Sequence, residues 1–124
     1  MIDSNIIALV IEALILVESG GNPAAVNGNA VGVLQIMPAV VHELNRAAGW
    51  DMWDMEDRKN ELRARRMATD YIRVHGDGLN IRGLALLWKL GPDGMYRHVS
   101  RSDKNYADRV ANLVADMLEK EASK

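Results

Sequence analysis

The sequence predicts a mainly α-helical fold of about five helices, with a small irregular or β-hairpin element after the first helix. Three observations carry this. Residues Ile6 to Val17 form an almost unbroken apolar run. Apolar residues then recur at helical spacing in two later segments, around Ala64–Val74 and Tyr106–Met117. Between the first run and the second helix lies a stretch rich in glycine and asparagine, where neither helix nor long strand persists.

Taken in order, the first helix should span roughly 4 to 19, capped by Asp3 or Ser4 and stopped by Gly20 and Gly21. With so few polar positions it should be central and covered on all sides. Residues 22 to 36 carry Asn27-Gly28, a hairpin-turn signal, and Val31 and Val33 alternate around Gly32. Gly32, set between two β-branched residues, marks a sharp turn or a close approach of backbone to ligand. Pro38 suits the first turn of a second helix, roughly 38 to 48, with Val40, Val41, Leu44 and Ala48 on its apolar face and Gly49 as its stop. A third helix is expected at 57–75, with Ala64, Met67, Ala68, Tyr71 and Val74 inward. A fourth, at 80–90, has Asn80 as cap, Ile81, Leu84, Leu87 and Trp88 inward, and Gly91-Pro92 as stop. A fifth, at 103–120, has Ser102 as cap and Tyr106, Val110, Leu113, Val114 and Met117 as its buried face.

The chain of 124 residues suits one domain over its whole length, 1–124, and a net charge of −2 gives no footprint for nucleic acid. The absence of cysteine excludes disulfide and thiolate chemistry. No segment is apolar for long enough to span a membrane, and the run 6–17 lacks the basic flank and cleavage site of a signal peptide. "HELNR" (42–46) has Arg46 where a zinc-binding histidine would stand, so no metal is expected. "RARR" (63–66) reads as a solvated helix surface, and no phosphate-cradling loop is present.

The residue that asks for a chemical account is Glu18, an acid at the end of the apolar run. Burial disfavours a charged carboxylate and raises its pKa, and the helix C-terminus, with its partial negative charge, pushes the same way. A carboxyl so tuned can serve as a general acid near neutral pH. Composition alone favours an exposed helix-end glutamate with no such duty. Between Glu18 and Glu43 there is no other acid, so the loop behind Glu18 supplies no nucleophilic carboxylate. The acids Asp51, Asp54, Glu56 and Asp57 read as a solvated helix-entry cluster. Gln35 is a neutral donor and acceptor able to hold an amide group. Ser19 can bond the neighbouring carboxylate or a ligand, or simply end the helix. Trp88 can stack on a sugar ring or fill the core.

"ESGGNPAAV" followed by "AVGVLQIMP" resembles the soluble lytic transglycosylase family, related in fold to goose-type lysozyme. The match rests on Glu18, Ser19, Asn22, Pro23, Ala25, Val26, Gly32, Gln35, Ile36 and Pro38 in order. Weaker likenesses follow in "RRMATDYI" (65–72), "LLWKLGPDG" (86–94) and "YADRV" (106–110). The resemblance implies a lysozyme-like α+β fold and cleavage of the β-1,4 bond between N-acetylmuramic acid and N-acetylglucosamine in peptidoglycan. It implies Glu18 as the sole acid and base, closing a 1,6-anhydro ring, with no cofactor. Ser19, Gln35, Tyr106, Lys89 and Trp88 are then candidates for holding the glycan strand. Lys89 departs from the family, which usually has asparagine there. A muramidase using the same Glu18, or a weak or inactive glycan-binding domain, are the alternative expectations. The expected partner is peptidoglycan, with no nucleic acid and no membrane span, and the protein is expected to be a monomer. The expected setting is the bacterial cell wall or periplasm, reached by a phage-encoded lysis or virion-associated protein.

Overall fold

The computed structural model describes residues 2–124. Five helices are α1 (Ser4–Glu18), α2 (Pro38–Ala48), α3 (Glu61–His75), α4 (Ile81–Gly94) and α5 (Arg101–Ala122). Two short strands, β1 (Val26–Asn27) and β2 (Ala30–Val31), form an antiparallel hairpin between α1 and α2. This is the mainly α, lysozyme-like architecture expected from the sequence.

Asp3 starts α1: its carboxylate accepts from the N–H of Asn5 at 2.8 Å and of Ile6 at 3.2 Å. The helix then packs against α3, α4 and α5, which bury Ile7, Val10, Ile11, Leu14 and Ile15. It is not covered on all sides. Ala8 and Leu16 face outward, with Glu12 between them half-exposed on the same stripe and ion-paired to Arg65 of α3. Three neighbouring helices leave a fourth side open.

The hairpin pairs Val26 with Val31 and Asn27 with Ala30, so its turn is Gly28-Asn29, one residue later than the sequence signal. Gly28 has φ +60°, which a primed hairpin turn needs at its first central position. Behind β2 the chain doubles back. Val31 and Ile36 exchange backbone hydrogen bonds at 3.3 and 3.0 Å, and Val33 and Leu34 plunge into the core.

Helix α2 begins with Pro38 at its first turn and ends on Gly49, whose N–H returns to Asn45 at 2.9 Å. Its buried side is Val41 and Leu44, while Ala48 is exposed. The expected third helix is two pieces: a 3₁₀ turn over Met55–Lys59, then α3 proper. Asn60 separates them because its side chain accepts from the N–H of Arg63 at 3.0 Å, which makes it an N-cap rather than a helix interior. Val74 faces outward with Met52 and Trp53 along an open groove between α2 and α3. Helix α4 kinks at Gly91 (φ +81°) ahead of Pro92 and adds one further turn. Helix α5 starts before Ser102. Ser100 accepts from Asp103 N–H at 3.0 Å and Asp103 accepts from Ser100 N–H at 3.0 Å, a reciprocal cap that outcompetes the later serine.

One hydrophobic cluster draws on all five helices and on Val33, Leu34 and Ile36 of the loop. The loop behind Glu18 is therefore anchored in the core.

Candidate active site

Glu18 is the last residue of α1 and opens onto a cleft of about 330 Å³. Glu18, Asn27, Gln35, Met37, Trp88 and Lys89 form most of its wall, and among the described residues Glu18 is the sole carboxylate lining it. Burial raises the Glu18 pKa above the ordinary carboxylate range. Two weaker influences oppose it: the hydrogen bond from Tyr106 and the charge of Lys89. The balance leaves a carboxyl that holds its proton to higher pH than a solvated one.

Tyr106, from α5, donates its hydroxyl to Glu18 Oε2 at 3.3 Å. Burial first, and then the charge of Glu18, push the phenol pKa up, so it remains a donor. Lys89, from α4, lies over the Tyr106 ring with Nζ 4.9 Å from the centroid. Its Nζ also meets Asp103 Oδ1 at 3.2 Å. The lysine ammonium thus sits between two partners on α5, close enough to act on Glu18 through charge.

Ser19 is turned elsewhere. Its hydroxyl donates to Val33 carbonyl at 2.7 Å and accepts from Gly21 N–H at 3.1 Å. It joins the helix end to the buried part of the loop and does not line the cleft. Gln35 does line the cleft but is nearly spent. Its Nε2 donates to the carbonyls of Ala25 at 3.0 Å and Gly32 at 2.9 Å, and its Oε1 accepts from Asn27 Nδ2 at 2.7 Å. Both amide hydrogens are used, leaving one acceptor site. Gln35 also has φ +51°, an unfavourable conformation for a side-chain-bearing residue. These three bonds over-determine it. Trp88 donates from its indole N–H to Leu34 carbonyl at 3.2 Å and meets Tyr71 edge-on at 5.6 Å. Most of its ring is core, with one edge at the cleft.

The structure therefore brings Glu18, Gln35, Trp88, Lys89 and Tyr106 together and turns the Ser19 hydroxyl into the loop. It adds three residues that sequence reasoning passed over. Asn27, whose sequence signal is only that of a turn, lines the cleft with its amide nitrogen bonded to Gln35. Met37 is 45% exposed at the cleft edge, with no signal beyond its place before Pro38. Asp103, which anchors Lys89, was visible in the sequence as the fourth residue of a Ser-x-x-Asp cap.

The acids at 51–57 take no part. Asp57 pairs with Arg63 at 2.7 Å and Glu56 with Lys59 at 3.1 Å, and none lines this cleft. No helix among the described residues is long and apolar enough to cross a membrane.

A family model described as the transglycosylase SLT domain matches residues 3–88. The match includes α1, the hairpin, α2, α3 and α4 up to Trp88, and stops one residue short of Lys89. Comparison with curated proteins and with solved structures found no match.

Proposed function

The chain belongs to the transglycosylase SLT family, whose domains act on cell-wall peptidoglycan, and from this premise we propose that it is a lytic transglycosylase with Glu18 as its single acid and base. The observation that carries the reading is a half-buried carboxyl with a raised pKa, bonded by Tyr106, in a cleft lined by no second carboxylate.

Protonated Glu18 gives its proton to the glycosidic oxygen between N-acetylmuramic acid and N-acetylglucosamine. The C1–O4 bond breaks, and the departing N-acetylglucosamine keeps that proton as its 4-hydroxyl. Positive charge develops at C1 of the muramic acid, beside the newly formed carboxylate. Glu18 then removes the proton from the 6-hydroxyl of the same sugar, O6 bonds to C1, and the acid is restored. No water is consumed. The step needs a group that works first as acid and then as base, which a carboxyl raised toward working pH provides. A two-carboxylate glycosidase would need a second acid about 5–10 Å away across the sugar, and among the described residues none but Glu18 lines this cleft. Tyr106 steadies the carboxylate between the two halves of the cycle. Asn27 and the remaining acceptor of Gln35 are placed to meet amide and hydroxyl groups of the strand.

Mass spectrometry of fragments released from purified cell walls tests the reaction. Anhydro-ended products, lighter by one water than hydrolytic ones, are expected. Hydrolytic ends would replace this reading with a muramidase that delivers water to the same carbon. Intact walls would leave a binding domain.

Lys89 gives a second measurement. Its positive charge favours ionised Glu18, so its removal raises the Glu18 pKa further. The alkaline limb of the pH–rate profile, where Glu18 loses its proton, should move upward in Lys89→Asn. Superimposable profiles of the two proteins would put Lys89 outside the electrostatics of the reaction.

A further inference from the structure

Lys89 is held by a residue with a second task. Asp103 lies in the first turn of α5, and its two carboxylate oxygens go to different partners. Oδ2 accepts from Ser100 N–H at 3.0 Å, while Asp103 N–H donates to Ser100 Oγ at 3.0 Å. Oδ1 is left for the Lys89 ammonium, 3.2 Å away. The reciprocal cap fixes the Asp103 side chain, which is only 14% exposed. The bonds to Ser100, and then the ammonium of Lys89, hold the Asp103 carboxyl below the ordinary carboxylate range, so it stays ionised. Lys89 and Asp103 both lie beyond residues 3–88, the part matched by the family model.

A cation on this wall has two anions to choose between. Lys89 lines the cleft beside Glu18 and carries its charge on a flexible stem. Glu18 faces it from α1, and Tyr106 and Asp103 face it from α5. Lys89 also lines a neighbouring cleft with Glu43 and Arg46 of α2, His75 of α3 and Asp93 beyond the α4 kink. Glu43 is already taken, bonded by Arg46 at 3.0 Å and 3.2 Å from His75. Among the described residues, Asp103 is the acid that pairs with Lys89. Around Glu18, the hairpin, the loop and α2 present the neutral Asn27, Gln35 and Met37, and α4 and α5 present Lys89 and Tyr106.

We propose that Asp103 is a positioning residue for the reaction: by pairing with Lys89 it holds the ammonium over the Tyr106 ring and off the Glu18 carboxyl, preserving the acid form that starts the cycle. This rests on the reading of Glu18 as the acid. The Tyr106 ring takes the cation on its face, with Nζ 4.9 Å from the centroid, while its hydroxyl donates to Glu18 Oε2. The phenol thus stands between the two charges. Without Asp103, Glu18 is the anion left to draw the ammonium into the cleft. Loss of the Asp103 charge and release of Lys89 then act in the same direction, both favouring ionised Glu18.

Carbon-13 NMR of the Glu18 carboxyl, identified by its disappearance in Glu18→Gln, reads the titration midpoint without need of turnover. Asp103→Asn keeps an acceptor for Ser100 N–H and removes the charge. The midpoint should fall by about one pH unit, the low end for a cation brought close to a carboxylate, and the alkaline limb of wall turnover should fall with it. In Lys89→Asn the midpoint should rise, and adding Asp103→Asn to that protein should move it no further. Ser100→Ala weakens the cap and keeps both charges, so it should lower the melting temperature and leave the midpoint in place. An unmoved or raised midpoint in Asp103→Asn, an equal fall in the absence of Lys89, or the same fall in Ser100→Ala would overturn the inference and leave the reading of Glu18 standing. A midpoint that falls while the alkaline limb stays in place would overturn both, because the titration of Glu18 would then not govern turnover.

Discussion

Glu18→Gln should lose roughly 10²–10⁴-fold in turnover of peptidoglycan, the usual worth of general acid–base help, and should at the same time melt at a higher temperature than the parent at pH 7. The two effects have one cause. Burial raises the Glu18 pKa, so the folded protein binds this proton more tightly than the unfolded chain does. Above the folded pKa, the native state holds an ionised carboxylate out of water and bears the full penalty. As pH falls through the folded pKa toward the unfolded one, the carboxyl takes up its proton and the penalty disappears. Glutamine keeps the shape, can still accept from Tyr106, and carries no charge at any pH. Its stabilising effect should therefore be present at pH 7, on the order of a few degrees, and should close around pH 4, where carboxyls are protonated in both states. Melting curves of both proteins at the two pH values, beside a turbidity assay on cell walls, measure this. Native turnover by the glutamine variant would remove Glu18 from the chemistry. An unchanged melting temperature at pH 7 would mean that its burial costs the fold nothing.

Much of this site was legible because its signals are local. The apolar run that ends at Glu18, Pro38 at the head of α2 and Gly49 at its end depend on periodicity and capping within a few residues. The same locality explains what could not be read. Tyr106 and Glu18 lie on different helices, and no short-range pattern says that α5 crosses the end of α1 in the register that joins them. A family likeness pointed to Tyr106 and packing realised the contact. Gln35 shows a subtler limit. Its side-chain chemistry is plain, but its φ of +51° turns both amide hydrogens inward onto Ala25 and Gly32. The group able to face a ligand becomes Asn27, which Gln35 holds. Ser19 follows the same logic, since Val33 carbonyl takes its hydroxyl before any ligand can. Exposure at Leu16 and Val74 was hidden for a related reason: helical periodicity says which side is apolar, not whether a neighbour covers it.

Gly32→Ala should be the most destabilising single change in the loop, and its effect should be on folding before it is on ligand. From the sequence alone, this glycine fitted a close approach of backbone to ligand. The structure gives a different neighbour. Gly32 has φ +88°, and a Cβ there would stand 2.0 Å from the carbonyl oxygen of Arg58 and 3.1 Å from its carbon. No rotamer relieves a clash with backbone, so the 3₁₀ turn over Met55–Lys59 must move. That turn is itself tied to the loop, because Arg58 Nη1 donates to the carbonyls of Asn29 at 2.8 Å and Ile36 at 3.0 Å. Gly32 meanwhile donates to Ala25 at 2.9 Å and accepts from both the backbone and the side chain of Gln35. Displacing it strains every bond that shapes this side of the cleft. A cost of about 3 kcal/mol or more is expected, with a fall of about 10 °C in melting temperature. Gly28→Ala is the control. Gly28 also has positive φ, +60°, but nothing lies within 4 Å of its would-be Cβ. It should cost only the backbone term, about 1 kcal/mol. Thermal melts of the two variants isolate the contact with Arg58 from the conformational cost they share. Equal losses at the two positions would mean that the 3₁₀ turn yields freely, and that the loop behind Glu18 is not held in place by it.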